Sequence, residues 1–378
     1  MMRKLYTLLL LSLFTCSVNA VPSLVPAPPA VGATAFLLLD HHSGRVIAKK
    51  NAEQRIEPAS LTKLMTAYVV FYEMRNGNIN NDELVTISKK AWKMQGSKMF
   101  IEVGKHIAVE KLIKGIIIQS GNDATVALAE HIAGTEDDFV TLMNRHAQNL
   151  GMQGTHFVNS TGWPHAEHYT TASDMAKLTR ALIEEFPDHY ALYKIKEYTF
   201  NNIRQFNRNR LLWRDDRVDG VKTGHTESAG YCLISSAKKK DMRLISIVMG
   251  ARSEQARENA SRKLLNYGFR FYETFPLHAS HEALTSMRIW KGKEEQIALG
   301  LNEPLYITIP RGSRNKVKAN LKVDAMITAP AKKGQAFGSV NVTLNGEELV
   351  SKPLIALNTV EEGGLWRKLV DNVILMFN

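Results

Sequence analysis

The chain has 378 residues, 44% of them hydrophobic and 22% charged, with no low-complexity tract. That length suits two domains of roughly 100–200 residues, and the composition excludes a disordered or fibrous chain. Lysine and arginine number 48 against 37 acidic residues, a formal charge of +11. This balance favours anionic partners such as lipid headgroups or acidic glycans, whereas no dense basic run with interleaved aromatics supports nucleic acid.

Residues 1–20 read as an export signal. Arg3 and Lys4 form a basic start, Leu5 to Phe14 an apolar run broken by Thr7 and Ser12, and Val18-Asn19-Ala20 a small-residue cleavage site. The run is too short to span a bilayer. Cys16 raises a lipoprotein reading, for which Thr15 is a poor match. Beyond the signal, Cys232 is the only cysteine, so the fold stands on its core without an internal disulfide. Residues 21–32, with Pro22, Pro26, Pro28 and Pro29, form an extended leader.

Ala33 to Leu39 reads as a strand, Ser43-Gly44 as a turn, and the residues near Val46 as a second strand. Apolar spacing predicts helices over Glu57–Phe71, Glu110–Ile118, Asp123–Ile132, Glu136–Leu150 and Ala172–Glu185. Strands follow at Val218–Lys222, Gly230–Ser236 and Met242–Met249, then a helix from Ser253 to Tyr272. This order implies an α/β (α+β) domain over 33–277, one antiparallel sheet built from both ends of the domain and covered by helices. Past Pro276 the texture changes to short strands between Gly, Pro and Asn turns: Met287–Trp290, Leu305–Ile309, Leu321–Ile327, Ser339–Leu344 and Pro353–Leu357. Residues 278–358 are therefore expected to form a small all-β domain.

Residues 359–378 end the chain in an amphipathic helix. Leu365, Trp366, Leu369, Val370, Val373, Ile374 and Phe377 make one apolar stripe, with Arg367, Lys368, Asp371 and Asn372 opposite. Fourteen helical residues reach about 21 Å, short of the roughly 30 Å hydrocarbon core. The pattern suits a helix lying in a membrane interface behind a Gly363-Gly364 hinge, with Arg367 and Lys368 toward lipid phosphates.

Three short motifs carry the chemistry. Ser60-Leu61-Thr62-Lys63 opens the first helix, Ser120-Gly121-Asn122 lies in the break between two helices, and Lys222-Thr223-Gly224 ends a strand. Residues three apart on a helix share a face, so the Lys63 amine reaches the Ser60 hydroxyl. Serine is a poor nucleophile until a base takes its proton, and lysine serves as that base only when neutral. Burial and a second cation, Lys222, both lower its pKa. Gly121 and Gly224 permit close approach of a ligand to the backbone.

With their flanks, Pro58 to Lys63, Gln119 to Ala124 and Asp219 to Thr226 resemble the active site of low-molecular-mass penicillin-binding proteins, the serine-type D-alanyl-D-alanine carboxypeptidases of Gram-negative bacteria. Leu305 to Gly312 is similar to the β-domain of that family. The resemblance covers essentially the whole chain and implies a penicillin-binding/β-lactamase-like catalytic domain. It implies that Ser60 attacks the penultimate D-alanine carbonyl of a peptidoglycan stem peptide and that Lys63 takes its proton. Backbone N–H groups of Ser60 and His225 would hold the oxyanion. Ser120 would protonate the leaving amine, and Asn122 would bind the acyl-side amide. Lys222 and Thr223 would hold the terminal carboxylate; Arg252, after the last strand, resembles a further carboxylate-binding arginine; and Gly224 and His225 would also line the bound substrate. β-Lactams would be covalent inhibitors; no cofactor and no metal is implied, and the enzyme would work at the periplasmic face of the inner membrane. The segment Ala91 to Phe100 is shorter than the loop this family often carries there.

Other features read as structural. His165 and His168 form a surface pair rather than a metal site, His41-His42 are solvated beside a turn, Lys238-Lys239-Lys240 is a charged hairpin tip, and Cys232 is a strand residue. Rival functions with the same acylation step are a serine β-lactamase and a DD-endopeptidase or transpeptidase. A silent cell-wall binding protein is the rival from another class. No glutamate between Asn122 and Lys222 fits the class A lactamase pattern, and silence does not require Ser60, Lys63, Ser120 and Lys222 all intact.

Overall fold

The computed structural model describes residues 25–376; the export signal expected at 1–20 lies outside the described residues. Strands β1 (Ala35–Asp40), β2 (Val46–Lys50), β3 (Val218–Thr226), β4 (Gly230–Lys239) and β5 (Met242–Ala251) form an antiparallel sheet of order β2-β1-β5-β4-β3. Both ends of the first domain thus build one sheet, as expected. All six residues of β1 are buried, because side chains alternate between two covered faces. Ala35, Leu37 and Leu39 enter the helical block, whereas Phe36 and Leu38 join the opposite core.

The block contains helices α1 (Lys63–Arg75), α2 (Asn122–Ala133), α3 (Glu136–Asn149) and α4 (Ala172–Glu185), and α5 (Glu254–Phe271) supplies the opposite core with Leu264 and Leu265. Thr135, Thr171 and Ser253 accept N–H bonds at the starts of α3, α4 and α5, which satisfies donors that have no partner within the helix. Helix α1 is buried from Lys63 through Phe71, so it is the axis of the block rather than an amphipathic cover.

Two helices differ from expectation. A tight 3-10 turn, Ala59–Thr62, replaces the expected start at Glu57. Ala59 has φ of 48°, a left-handed conformation through which a helix does not continue. The expected helix 110–118 is divided into Val109–Lys114 and a wider π turn, Gly115–Gln119, which closes on Ser120 at φ 62°. Lys222-Thr223-Gly224 lies within β3, which runs on to Thr226, and not at its end. β3 is an edge strand of the sheet.

Strand β6 (Tyr272–His278) pairs antiparallel with β9 (Leu305–Pro310). Strands β7 (Ala283–Trp290), β8 (Gln296–Gly300), β10 (Val317–Val323), β11 (Ile327–Thr328), β12 (Ala336–Leu344) and β13 (Glu347–Ala356) make a second sheet of order β10-β12-β13-β8-β7-β11. Ile289, Ile297, Leu299, Ile307, Val340 and Leu354 fill its core. The single strand expected over Leu321–Ile327 is two strands, and β11 pairs parallel with β7.

The turn after β1 meets this half of the chain. The buried Asp40 carboxylate accepts from Ser43 N at 2.8 Å, Ser43 Oγ at 2.9 Å and Thr274 Oγ1 at 2.8 Å. Arg45 donates to Thr308 O at 2.7 Å, and His42 stacks on Tyr306. His41-His42 are therefore not a solvated pair. His41 is buried, and that burial, with His42 beside it, lowers its pKa to about 3.

Candidate active site

The 3-10 turn carrying Ser60 is wedged between two close backbone approaches. Gly162 has φ of 85°, and a Cβ there would lie 1.7 Å from Ala59 O. On the other side a Cβ at Gly224 would lie 3.0 Å from Pro58 O. Only glycine fits at 162, and glycine at 224 spares β3 a tight contact, so the segment after Ser160 and the edge strand close on the turn from both sides.

Lys63 is the first residue of α1, 1% exposed. Its Nζ lies 3.2 Å from Ser60 Oγ, 2.7 Å from Asn122 Oδ1 and 2.6 Å from Thr161 O. Burial lowers its pKa to about 7, opposed by Asp123 and aided by Arg208. Asn122 Oδ1 and Thr161 O can only accept, so a neutral amine gives both its N–H bonds to them. Its lone pair is left facing Ser60 Oγ. The group is thus geometrically and electrostatically able to take the serine proton.

A second buried lysine stands opposite. Lys222 Nζ donates to Ser120 Oγ at 2.8 Å and to Thr223 O at 3.2 Å. Burial, then Lys63, Arg208 and Arg257, hold its pKa well below the usual lysine range. Ser120 sits at the left-handed residue that closes the π turn. The next residues fix the adjoining loop: Asn122 Nδ2 donates to Gln95 O at 2.6 Å, and Asn122 N to Ser97 O at 2.7 Å. The buried Asp123 carboxylate accepts from the N–H groups of Met99, Phe100 and Ile101.

The structure therefore brings together Ser60, Lys63, Ser120, Asn122, Lys222, Thr223 and Gly224. His225 is the last residue but one of β3, exposed, with its ring against Tyr231. Arg252 is not among the site's buried cations. It is exposed and makes no hydrogen bond or ion pair among the described residues. The buried arginine at this end of the sheet is Arg257, whose Nη1 donates to Gly224 O at 3.2 Å. Ser253 caps α5, which turns Arg257 inward one helical turn later. Arg208, on the loop before β3, is the other missed cation. Its only sequence signal is a cluster of basic residues, Arg204, Arg208 and Arg210.

His168 departs from the surface reading made for the His165–His168 pair. His165 is exposed, but His168 is buried behind the Ser60 turn. Burial first, then His156, His165 and Lys63, lowers its pKa to about 4. It is neutral near pH 7, so Nδ1, which accepts from Val158 N, leaves Nε2–H to donate to Thr62 Oγ1 at 2.8 Å. Among the described residues no cluster of His, Cys, Asp or Glu could hold a metal. Cys232 is buried in β4 and its thiol is pushed up to about 11 by burial.

A serine hydroxyl against a buried lysine, a second lysine–serine pair and an adjacent sheet edge define a penicillin-recognising serine acyl-transfer site. Comparison with known proteins agrees. Residues 23–253 match the D-alanyl-D-alanine carboxypeptidase family, peptidase S11, and residues 272–362 match the C-terminal domain of penicillin-binding protein 5. The chain is 44% identical to D-alanyl-D-alanine carboxypeptidase DacC of Escherichia coli (strain K12), over 97% of this chain and 94% of that one. It is 43% identical to DacA of the same strain, over 95% and 91%. The crystal structure of penicillin binding protein 5 from Haemophilus influenzae is 41% identical and superposes with a TM-score of 0.85, covering 89% of this chain and all of the other. The chain belongs to the serine-type D-alanyl-D-alanine carboxypeptidases.

The wedge yields a prediction. Gly162→Ala places a Cβ into the Ala59 carbonyl at a left-handed φ. It should destabilise the protein by more than about 2 kcal/mol, read as a lower melting temperature, and slow penicillin acylation by at least about tenfold in whatever fraction still folds.

Proposed function

We propose that the enzyme removes the terminal D-alanine from peptidoglycan stem peptides ending in D-Ala-D-Ala through an acyl-enzyme at Ser60, and that β-lactams acylate the same residue. The observation that carries this reading is the Lys63 amine, held by two obligate acceptors with its remaining direction toward Ser60 Oγ. Lys63 takes the proton as Ser60 attacks the penultimate carbonyl. The Ser60 and His225 N–H groups cover the developing oxyanion. Ser120 passes a proton to the departing amine, supported by Lys222 at 2.8 Å. Lys222 and Thr223, joined by the charge of Arg208, attract the terminal carboxylate. Both ends of the Asn122 amide are occupied, by Lys63 and Gln95. Its contact with the acyl-side amide therefore requires exchange of the Gln95 bond, and its first task is to orient Lys63.

Incubating the protein with diacetyl-Lys-D-Ala-D-Ala should release D-alanine, and Ser60→Ala should abolish both release and fluorescent-penicillin labelling. Labelling that survives in folded Ser60→Ala overturns the assignment. The pH dependence follows from Lys63. Below about 7 the amine is protonated and has no lone pair; above it the base is free. The acylation rate should rise with pH and be half-maximal near 7. A flat stopped-flow profile between pH 5.5 and about 8.5, a window chosen to bracket that value, counts against Lys63 as the base. Lys63→Arg should be inactive, because arginine does not deprotonate.

We further propose export to the periplasmic face of the inner membrane and attachment through helix α6 (Leu365–Leu375). No described helix is long and apolar enough to cross a membrane. Leu365 and Trp366 are 89% and 79% exposed, and Leu369, Val373 and Met376 are exposed too. The charges lie on the protein side, contrary to the expectation that they face lipid: Arg367 pairs with Glu295 at 2.9 Å, and Lys368 with Glu362. Attachment then rests on the apolar stripe, each fully buried large side chain contributing roughly 1.5–3 kcal/mol and each interfacial one less. Deleting residues 365–378 should abolish flotation with liposomes, while soluble turnover stays within about twofold, since that helix bonds to Arg288, Lys291, Glu295 and Glu362, none of them a site residue. Flotation of the intact chain should change little with salt, because the cations are already paired.

A further inference from the structure

Thr161 meets Lys63 through its backbone carbonyl, so whatever aims that carbonyl also places the base. The segment from Val158 to Trp163 has no strand or helix to set its direction. Its fixed point is the side chain of Asn159. Oδ1 accepts from Gly162 N at 2.7 Å, Trp163 N at 3.0 Å, Thr161 Oγ1 at 3.1 Å and Thr161 N at 3.2 Å. Nδ2 donates to Trp163 O at 2.9 Å. One short side chain thus gathers the backbone donors of three successive residues and closes the far end of the turn as well.

With the donors gathered on Asn159, the carbonyls serve α1. Thr161 O accepts from Lys63 Nζ and Ser160 O from Thr66 Oγ1, each at 2.6 Å. Lys63 and Thr66 are three apart on α1 and share a face, so two consecutive carbonyls dock on that face. Two further groups hold the neighbourhood. Glu136, paired with Lys90 at 2.8 Å, accepts from Ser160 N at 3.1 Å and Ser160 Oγ at 2.7 Å. His168 Nδ1 lies 3.4 Å from Asn159 Nδ2, and its other ring nitrogen bonds Thr62, the residue before Lys63. Among the described residues neither bonds to Thr161, whose N–H and hydroxyl both go to Asn159.

We propose that Asn159 is a positioning residue for the general base: by holding the N–H groups of Thr161, Gly162 and Trp163 it aims the Thr161 carbonyl at Lys63, and so keeps the lone pair of the amine on Ser60. The inference rests on the acyl-enzyme reading above. The charged and titratable groups that face Lys63 are Asp123, Arg208, Lys222 and His168. Asn159 adds no charge to that set, so its part is directional. Thr161 O is one of the two acceptors that fix the neutral amine. Once that carbonyl is displaced, the amine turns its lone pair away from Ser60. A misplacement of about 1 Å at a reacting group costs on the order of a hundredfold in rate.

The test is stopped-flow acylation of the full chain by saturating fluorescent penicillin, followed with rising pH onto its alkaline plateau. The rate constant reports the molecules that fold and the amplitude reports their fraction, so lost stability alone lowers only the amplitude. Asn159→Ala removes the acceptor, and Asn159→Gln carries the same amide one methylene farther out. Asn159→Asp keeps an acceptor in place. On the plateau every Lys63 amine is neutral, so the charge of the new carboxylate does not distort the comparison there. The alanine and glutamine variants should acylate at least about tenfold more slowly than wild type on the plateau. The aspartate variant should stay within about threefold of wild type. A loss that disappears on the plateau is an effect of charge and overturns the positioning role. So does a loss confined to the amplitude, or an aspartate variant as slow as the alanine one. Where alanine leaves no folded fraction, the glutamine variant decides. Wild type that is not labelled at Ser60 overturns the acyl-enzyme reading instead, and this inference with it.

Discussion

A lysine amine buried at the start of a helix that is itself buried is the constraint around which the rest of the molecule is arranged. Burying a charge without partners is prohibitively costly, so Lys63 requires acceptors. They come from two separated segments, Asn122 and Thr161, while the third direction of the amine meets Ser60 on the adjoining turn. Those segments must converge for α1 to pack at all. Lys222, close enough to feel the charge of Lys63, repeats the demand and meets it with Ser120 and its neighbouring carbonyl. The nearby carboxylate that opposes the depression of Lys63, Asp123, is already occupied by three loop N–H groups. The cluster is therefore short of negative charge. That deficit both frees a base near neutral pH and favours a substrate that ends in a carboxylate.

Convergence is achieved by backbone, not by large side chains. Ala59 in a left-handed conformation ends the approach to α1 and lifts Ser60 onto a 3-10 turn. Gly162 and Gly224 then let two segments close on that turn. Because β3 is an edge strand, one of its sides carries no protein strand. It faces the turn and offers backbone groups to a ligand. His168 completes the arrangement from behind, its neutral ring bridging Val158 N and Thr62 Oγ1. A charged imidazole there would add a third buried cation beside the two lysines.

Much of this was legible in the sequence, for a physical reason. Ser60 and Lys63 are three residues apart, so local geometry alone joins them, and the order and spacing of the other two motifs carry the resemblance. The sheet built from both ends was legible because short apolar strand segments stand both before and after the helical block. What was not legible depends on tertiary contact. Thr161 acts through its carbonyl, which every residue has. Arg257 matters through burial and the exposed Arg208 through its charge near the two lysines, and Arg252 looked better placed because it follows the last strand of the sheet directly. His41 and His168 looked solvated because loop polarity hides which side of a loop the core covers. The break at Ala59 had no signal, since alanine rarely adopts a left-handed conformation.

The polarity of α6 follows the reverse of the rule seen at α1. A helix packed on its own protein turns its apolar stripe inward. Here Asp371 is the buried residue, accepting from Lys291 N at 2.6 Å and Arg288 Nη2 at 3.2 Å, while the leucines and Trp366 face out. Burial alone would raise that carboxyl. The Lys291 N–H, Arg367 and Arg288 outweigh it and hold the pKa low. Gly363 N also donates to Lys291 O at 2.8 Å, so the expected Gly-Gly hinge is tied down at its first residue. Buried polar contacts give direction more than adhesion. They set the helix at one angle on the β half, and the Asp40–Thr274 contact ties that half to the catalytic sheet. A surface that takes up the exposed stripe therefore orients the whole molecule, not only a tail.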